Sequence, residues 1–183
     1  MVEAPENESR APLPEELRQV RTRKIALILA ACVFLFDQAT KWVVTYPLNL
    51  QFRRDMEIVS FFDLRWVENR GVSLGLLTAE SDLMRWLLVA LTAAIAAFVG
   101  WWLWKEKRRD DSAALALILG GALGNILDRA RLGYVVDFAD LHFGEYRPFL
   151  VFNVGDAAIT IGVLLLLVRA LLMRDGKAKK KES

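Results

Sequence analysis

Hydrophobic positions along this chain fall in long unbroken blocks, without the stripe of a water-soluble amphipathic helix or the alternation of a half-buried strand. Four blocks stand out, roughly residues 25–44, 83–104, 113–127 and 149–172. A helix rises about 1.5 Å per residue, so about 20 apolar residues cross a ~30 Å hydrocarbon core. Each block therefore predicts a membrane-crossing helix. The third is short unless it continues past Asp128-Arg129 toward Val136, which would bring those charges to an interface. Asp111 and Ser112 give it a helix start signal, and Gly120, Gly121 and Gly124 give it a face for close helix approach. Between the first two blocks, residues 57–67 are rich in Val, Ile, Phe and Trp and lead to the turn signal Asn69-Arg70-Gly71. That pattern predicts a short sheet-like element, and Gly71 and Gly75 imply tight backbone there. The fold class is an all-α membrane protein of four transmembrane helices, with a small outward-facing β element between helices 1 and 2.

Composition sharpens this picture. Hydrophobic residues reach 55% and mean hydropathy is +0.29, yet 25% of residues are charged. Segregation of the two classes excludes a disordered chain. A single cysteine, Cys32, excludes a disulfide scaffold, and a net charge of +2 gives no reason to expect a nucleic-acid partner. Lys and Arg number fifteen within 1–24, 105–111 and 169–183, but seven within the longer segments 45–82 and 128–150. The positive-inside bias predicts that both termini and the 105–111 loop are cytoplasmic. The chain divides into a largely disordered N-terminal tail (1–24), a transmembrane domain (25–172) and a basic C-terminal tail (173–183). Residues 1–17, with five Glu and three Pro, read as solvated.

The first block has a rival reading. Arg21-Thr22-Arg23-Lys24 resembles the start of a secretory signal, and Leu29-Ala30-Ala31-Cys32 resembles a lipobox. Only about five apolar residues precede that site, too few for a signal's apolar region, and the apolar run continues beyond Cys32. A membrane helix with Cys32 as a small packing residue fits better.

Ionisable residues inside apolar spans are costly and pair with each other or line a functional cavity. Asp37 and Lys41 are four apart on one helical face, in the favourable acid-before-base order. They suit either a structural ion pair or a substrate-orienting role. Asp137 follows the third block and Asp156 opens the fourth; a hairpin around Gly144 and Pro148 would return both to one depth on adjacent helices. Two carboxylates in a partly dry site cannot both ionise cheaply, so one holds a proton while the other takes one from water. Asn125 and Asn153 lie close to this pair in sequence, where either would orient a carboxylate or merely satisfy helix backbone. Asp128 reads as an interface pair with Arg129, and Arg129 as a candidate for an anionic group. Asp140 reads as water-facing, and His142, the only histidine, as a surface residue. A three-histidine zinc site is impossible within one chain.

These residues carry a resemblance. Asp37-Gln38-x-Thr40-Lys41, Asn69-x-Gly71, Gly124-Asn125-x-x-Asp128-Arg129, Val136-Asp137-Phe138 and Phe152-Asn153-x-x-Asp156 resemble, in order and spacing, the motifs of signal peptidase II, the bacterial lipoprotein signal peptidases. The resemblance covers roughly residues 25–172. It implies an intramembrane aspartic endopeptidase that cleaves diacylglyceryl-modified prolipoproteins before the lipidated cysteine. It maps the catalytic pair onto Asp137 and Asp156, with Asn69, Gly71, Asn125, Arg129, Asn153, Asp37 and Lys41 binding substrate or supporting the dyad. It implies a monomer in the bacterial cytoplasmic membrane, surrounded by lipid, working near the outer face without metal or cofactor. Two positions depart from the family's pattern: Gly155, where Ala is frequent, leaving the fourth helix's start looser, and Leu74, where Phe is frequent. From the residues alone three other readings stand beside it: a proton-coupled transporter using Asp37, Lys41, Asp137 and Asp156 as a relay, a transferase holding Mg²⁺ on Asp128, Asp137, Asp140 and Asp156, and a non-catalytic assembly subunit.

Overall fold

A computed structural model describes residues 14–71 and 82–179. Leu74 and Gly75, the first thirteen residues and the last four lie outside these. Five helices and three strands follow in the order α1 (Glu15–Thr45), α2 (Leu50–Arg53), β1 (Asp55–Val59), β2 (Phe62–Asn69), α3 (Asp82–Lys105), α4 (Arg109–Leu132), β3 (Val135–Leu141) and α5 (Val154–Lys179). The four long helices are each long and apolar enough to cross a membrane.

Two helices outrun the sequence expectation. α1 begins at Glu15, ten residues before the first apolar block, because Pro14 sets the entry and Glu15 and Glu16 suit the positive end of a helix dipole. At 31 residues it is about 46 Å long, so its first turns stand beyond the hydrocarbon core. α5 continues past residue 172 to Lys179. α1 also runs unbroken through Cys32, against the signal-sequence reading; Cys32 itself is exposed on the helix rather than packed.

α4 is the hub, packed against α1, α3 and α5. Its glycines let backbones meet. A Cβ on Gly120 would stand 2.5 Å from the Ala30 carbonyl oxygen of α1, and one on Gly121 would overlap the Gly155 carbonyl of α5. Below these contacts Ala26, Ala30, Val99, Leu103, Leu115 and Ala116 form a dry cluster.

The sheet has three antiparallel strands in the order β1-β2-β3. β1 and β2 are the expected element. The third strand is not: it comes from between α4 and α5, pairing Asn69 with Val135 and Val67 with Asp137. α4 stops at Gly133 in the left-handed conformation, and β-branched Val135 and Val136 then extend rather than prolong the helix. Asp137 is therefore on a strand, and the pair does not lie on two adjacent helices as the sequence suggested. Val44, Leu50, Trp66, Val136 and Phe138 form a second core that seats the sheet on the end of the bundle.

Candidate active site

Where the sheet meets α1, α4 and α5, a run of polar side chains is buried or half-buried. Asp137 on β3 is 1% exposed. Its Oδ2 accepts Asn69 Nδ2 at 3.0 Å and its Oδ1 accepts Asn153 Nδ2 at 2.6 Å. Asn69 is aimed by its own turn: its Oδ1 accepts the Gly71 amide at 3.1 Å, and Gly71, at φ +106°, holds a backbone conformation that glycine takes without strain. Asp156, in the first turn of α5, accepts Asn125 Nδ2 at 2.8 Å and the Asn153 backbone amide at 3.3 Å. In return the Asp156 amide donates to Asn153 Oδ1 at 2.9 Å, so Asn153 caps the helix while touching Asp137.

Asn125 and Asn153 join the two carboxylates into one network. Asn153 Nδ2 also donates to Asn125 Oδ1 at 3.2 Å, and the same oxygen receives Lys41 Nζ at 3.0 Å. With Asn125 Oδ1 thus committed to donors, its Nδ2 is directed to Asp156. Burial, and next the charge of Asp156, push Asp137 up to about 6, while donation from Asn69 and Asn153 pulls the other way.

Lys41 is the centre of a second group. Its ammonium lies 2.8 Å from Asp37 Oδ2 and 2.8 Å from Asp128 Oδ2. Three donors thus meet three acceptors, the condition under which a charge is tolerated out of water. Gln38 Nε2 donates to Asp128 Oδ1 at 3.1 Å and to the Gly124 carbonyl oxygen at 3.3 Å. Asp37 Oδ1 accepts the Gly155 amide at 2.8 Å, and Asp128 Oδ2 accepts the Val136 amide at 3.2 Å. This ionic cluster ties α1 to the start of α5 and to β3, the two elements that carry Asp156 and Asp137.

The network gathers Asp137, Asp156, Asn69, Asn125, Asn153, Asp37 and Lys41, with Gly71 at its edge. Arg129 is half-buried; the charges of Asp156, Asp137 and Asp128 bear on its guanidinium, and its buried Nε has no hydrogen-bond partner. Four readings are corrected. Asp128 pairs with Lys41, 87 residues away, rather than with its neighbour Arg129. Asp140 is 1% exposed, not water-facing, because Arg147 binds it directly and Arg65 stands at 3.6 Å. His142 is only 12% exposed, with Nε2 3.1 Å from Asp63 Oδ2. The start of α5 is anchored by the bond from Gly155 to Asp37 rather than loosened by the missing methyl.

An apolar cavity of about 520 Å³ borders the network, with Asp156 among its walls beside Leu141, Phe149, Phe152, Ala157 and Ile161. Residues 29–172 match the family described as Signal peptidase (SPase) II. The chain belongs to the signal peptidase II family. Among curated relatives, a lipoprotein signal peptidase of Sphingopyxis alaskensis is 56% identical over 162 residues, covering 87% of this chain and 94% of that one. One from Rhizorhabdus wittichii is 59% identical over 155 residues, covering 85% and 90%. A solved structure described as a bacterial membrane enzyme, determined by the in meso method at 2.3 Å, superimposes with a TM-score of 0.72 at 28% identity, covering 84% and 92%. Membership in signal peptidase II makes the chain a multi-pass membrane peptidase, and its four spans and small sheet are the frame on which that peptidase is built.

Proposed function

We propose that the chain is an aspartic endopeptidase that removes signal peptides from diacylglyceryl-modified prolipoproteins, with Asp137 and Asp156 as the catalytic pair. The observation that carries this reading is the linkage of two carboxylates, one strand-borne and one at a helix start, through Asn125 and Asn153. Asp137, pushed up to about 6, is the acid, holding its proton below that pH, and Asp156 is the base. Asp156 takes a proton from water as the oxygen attacks the scissile carbonyl, while Asp137 donates to the developing oxyanion. Collapse of the tetrahedral intermediate returns that proton to Asp137 as the carbonyl re-forms. Asp156 passes its own to the leaving nitrogen. The supporting residues hold this pair, and Arg129 is the cation left to meet substrate.

The acyl chains would remain in lipid or in the apolar cavity beside Asp156 while the cleavage site meets the dyad. Each buried CH₂ contributes about 0.8 kcal/mol, so the diacylglyceryl group dominates recognition and unmodified precursor is a poor substrate. The charge distribution supports cytoplasmic termini and a site at the outer face of the bacterial inner membrane. One chain supplies every residue of the network, which supports a monomer. The transferase reading loses ground because Asp128 and Asp140 each answer a cation of the chain, Lys41 and Arg147.

The test is cleavage of a diacylglyceryl-modified prolipoprotein by purified protein in detergent with chelator present, beside Asp137→Asn and Asp156→Asn. Wild type cleaves, and each variant loses about 10³-fold or more while remaining folded. Activity surviving in either variant breaks the dyad assignment. Loss of wild-type activity on chelation returns the metal reading.

A further inference from the structure

At the opposite end of the bundle a second cavity of about 520 Å³ opens between α1 and α3. Its apolar wall is Val20, Leu27, Ile28 and Ala31 on one face of α1, closed by Trp104 of α3. From Val20 to Ala31 this trough runs about 16 Å along the helix. Arg23 and Lys24 complete the lining, and no acid does. The Arg23 guanidinium lies 4.8 Å from the Trp104 ring centroid, and its Nε is buried without a hydrogen-bond partner. Neither Arg23 nor Lys24 forms an ion pair among the described residues. Two other basic residues at this end are paired. Arg169 is 2.9 Å from Asp110 and 3.1 Å from Asp111, and Lys107 is 3.1 Å from Glu15.

A buried donor without an acceptor calls for a ligand that supplies one. Here two cations without an ion pair among the described residues stand at the start of the first span, level with an interfacial tryptophan, above a trough lined with hydrocarbon. The chemistry that fits is a phosphate with an acyl chain attached: a guanidinium binds phosphate oxygens through paired donors, and a lysine adds a point charge. We propose that this cavity is a binding site for one anionic phospholipid, with its phosphate on Arg23 and Lys24 and an acyl chain along Leu27, Ile28 and Trp104. Arg23 and Asp37 are fourteen residues apart on α1, about 21 Å, so the site is separate from the carboxylate network. It stands whether or not the dyad assignment does.

Native mass spectrometry of the full chain in detergent, titrated with phosphatidylglycerol or phosphatidylcholine of the same acyl composition, tests it. One phosphatidylglycerol is retained at about 25-fold lower concentration than phosphatidylcholine, since each of the two basic residues beside an anionic headgroup contributes about fivefold. Arg23→Gln/Lys24→Gln abolishes that preference while leaving peptidase activity unchanged. Arg18→Gln/Lys105→Gln, which removes the same charge from the same end outside the cavity, keeps it. If the first double variant does not purify, Arg23→Gln alone is read the same way, with about a fivefold loss. Equal retention of the two lipids by wild type overturns the proposal. So does a preference that survives in Arg23→Gln/Lys24→Gln, or one lost equally in the control pair.

Discussion

At the sheet-bearing end of the bundle, Lys41 lies 2.8 Å from both Asp37 and Asp128, and all three side chains are 5% exposed or less. At the end that carries the termini, Lys107 meets Glu15 at 3.1 Å with the two side chains 65% and 80% exposed. In both places a lysine meets carboxylates at similar distances, but the solvent differs. An exposed pair competes with water and salt and gains little. A buried trio cannot return to water, so removing one member leaves the others charged and unpaired. Lys41→Met is expected to destabilise by about 3–5 kcal/mol, and Lys107→Met by less than about 1 kcal/mol. Thermal unfolding of both variants in one detergent measures the contrast. Equal losses would mean that the buried cluster is no more than a surface pair in a different place.

The glycines repeat the comparison at closer range. A Cβ on Gly124 would overlap Asp37 Oδ2 and press on Asp37 Cγ at 3.0 Å, whereas one on Gly100 of α3 would meet only Leu119 Cδ2 at 4.0 Å. Gly124→Ala therefore forces α1 away from α4 and opens the ion cluster. A loss of about 1–3 kcal/mol is expected, with peptidase activity falling alongside it. Gly100→Ala is expected to stabilise by up to about 1 kcal/mol, because alanine is the better helix residue and nothing obstructs it. Destabilisation of the same size in both would show that close approach is not what Gly124 provides.

These two regions also differ in how well the sequence announces them. The spans are legible because hydropathy in blocks of about 20 residues has one common explanation. The Asp37–Lys41 pair is legible because both lie one helical turn apart. Asp128 is not, since its partner is 87 residues away and a sequence gives the depth of a side chain but not the direction it faces. Its neighbour Arg129 offers a nearer, wrong partner. The strand β3 is hidden for a related reason. In Val135–Leu141 the acids Asp137 and Asp140 are buried, so the run lacks the alternation of a half-exposed strand and reads as the end of a helix. Asp140 looks solvent-facing until Arg147, seven residues on, turns back to meet it. The roles of Asn125 and Asn153 need the fold as well: an amide near a carboxylate in sequence has no fixed orientation until Lys41 claims Asn125 Oδ1.

The two carboxylates of the network give the finest comparison, between a strand residue held by side-chain amides and a helix-start residue held partly by backbone. Asp137 is pushed up to about 6, first by burial and then by the charge of Asp156. A neutral Asp137 is the donor in the proposed reaction, so kcat/KM should fall as pH rises through about 6, with the limb belonging to the pair rather than to one group. Asn69 donates to Asp137 Oδ2 and thereby favours its ionised form. Asn69→Ala removes that donor, so Asp137 should hold its proton to higher pH and the alkaline limb should move up. A merely structural part for Asn69 makes a different demand: the maximum rate falls and the limb stays where it was. A limb that moves down would mean that Asn69 steadies the protonated form of Asp137, against the direction in which its donated hydrogen bond acts.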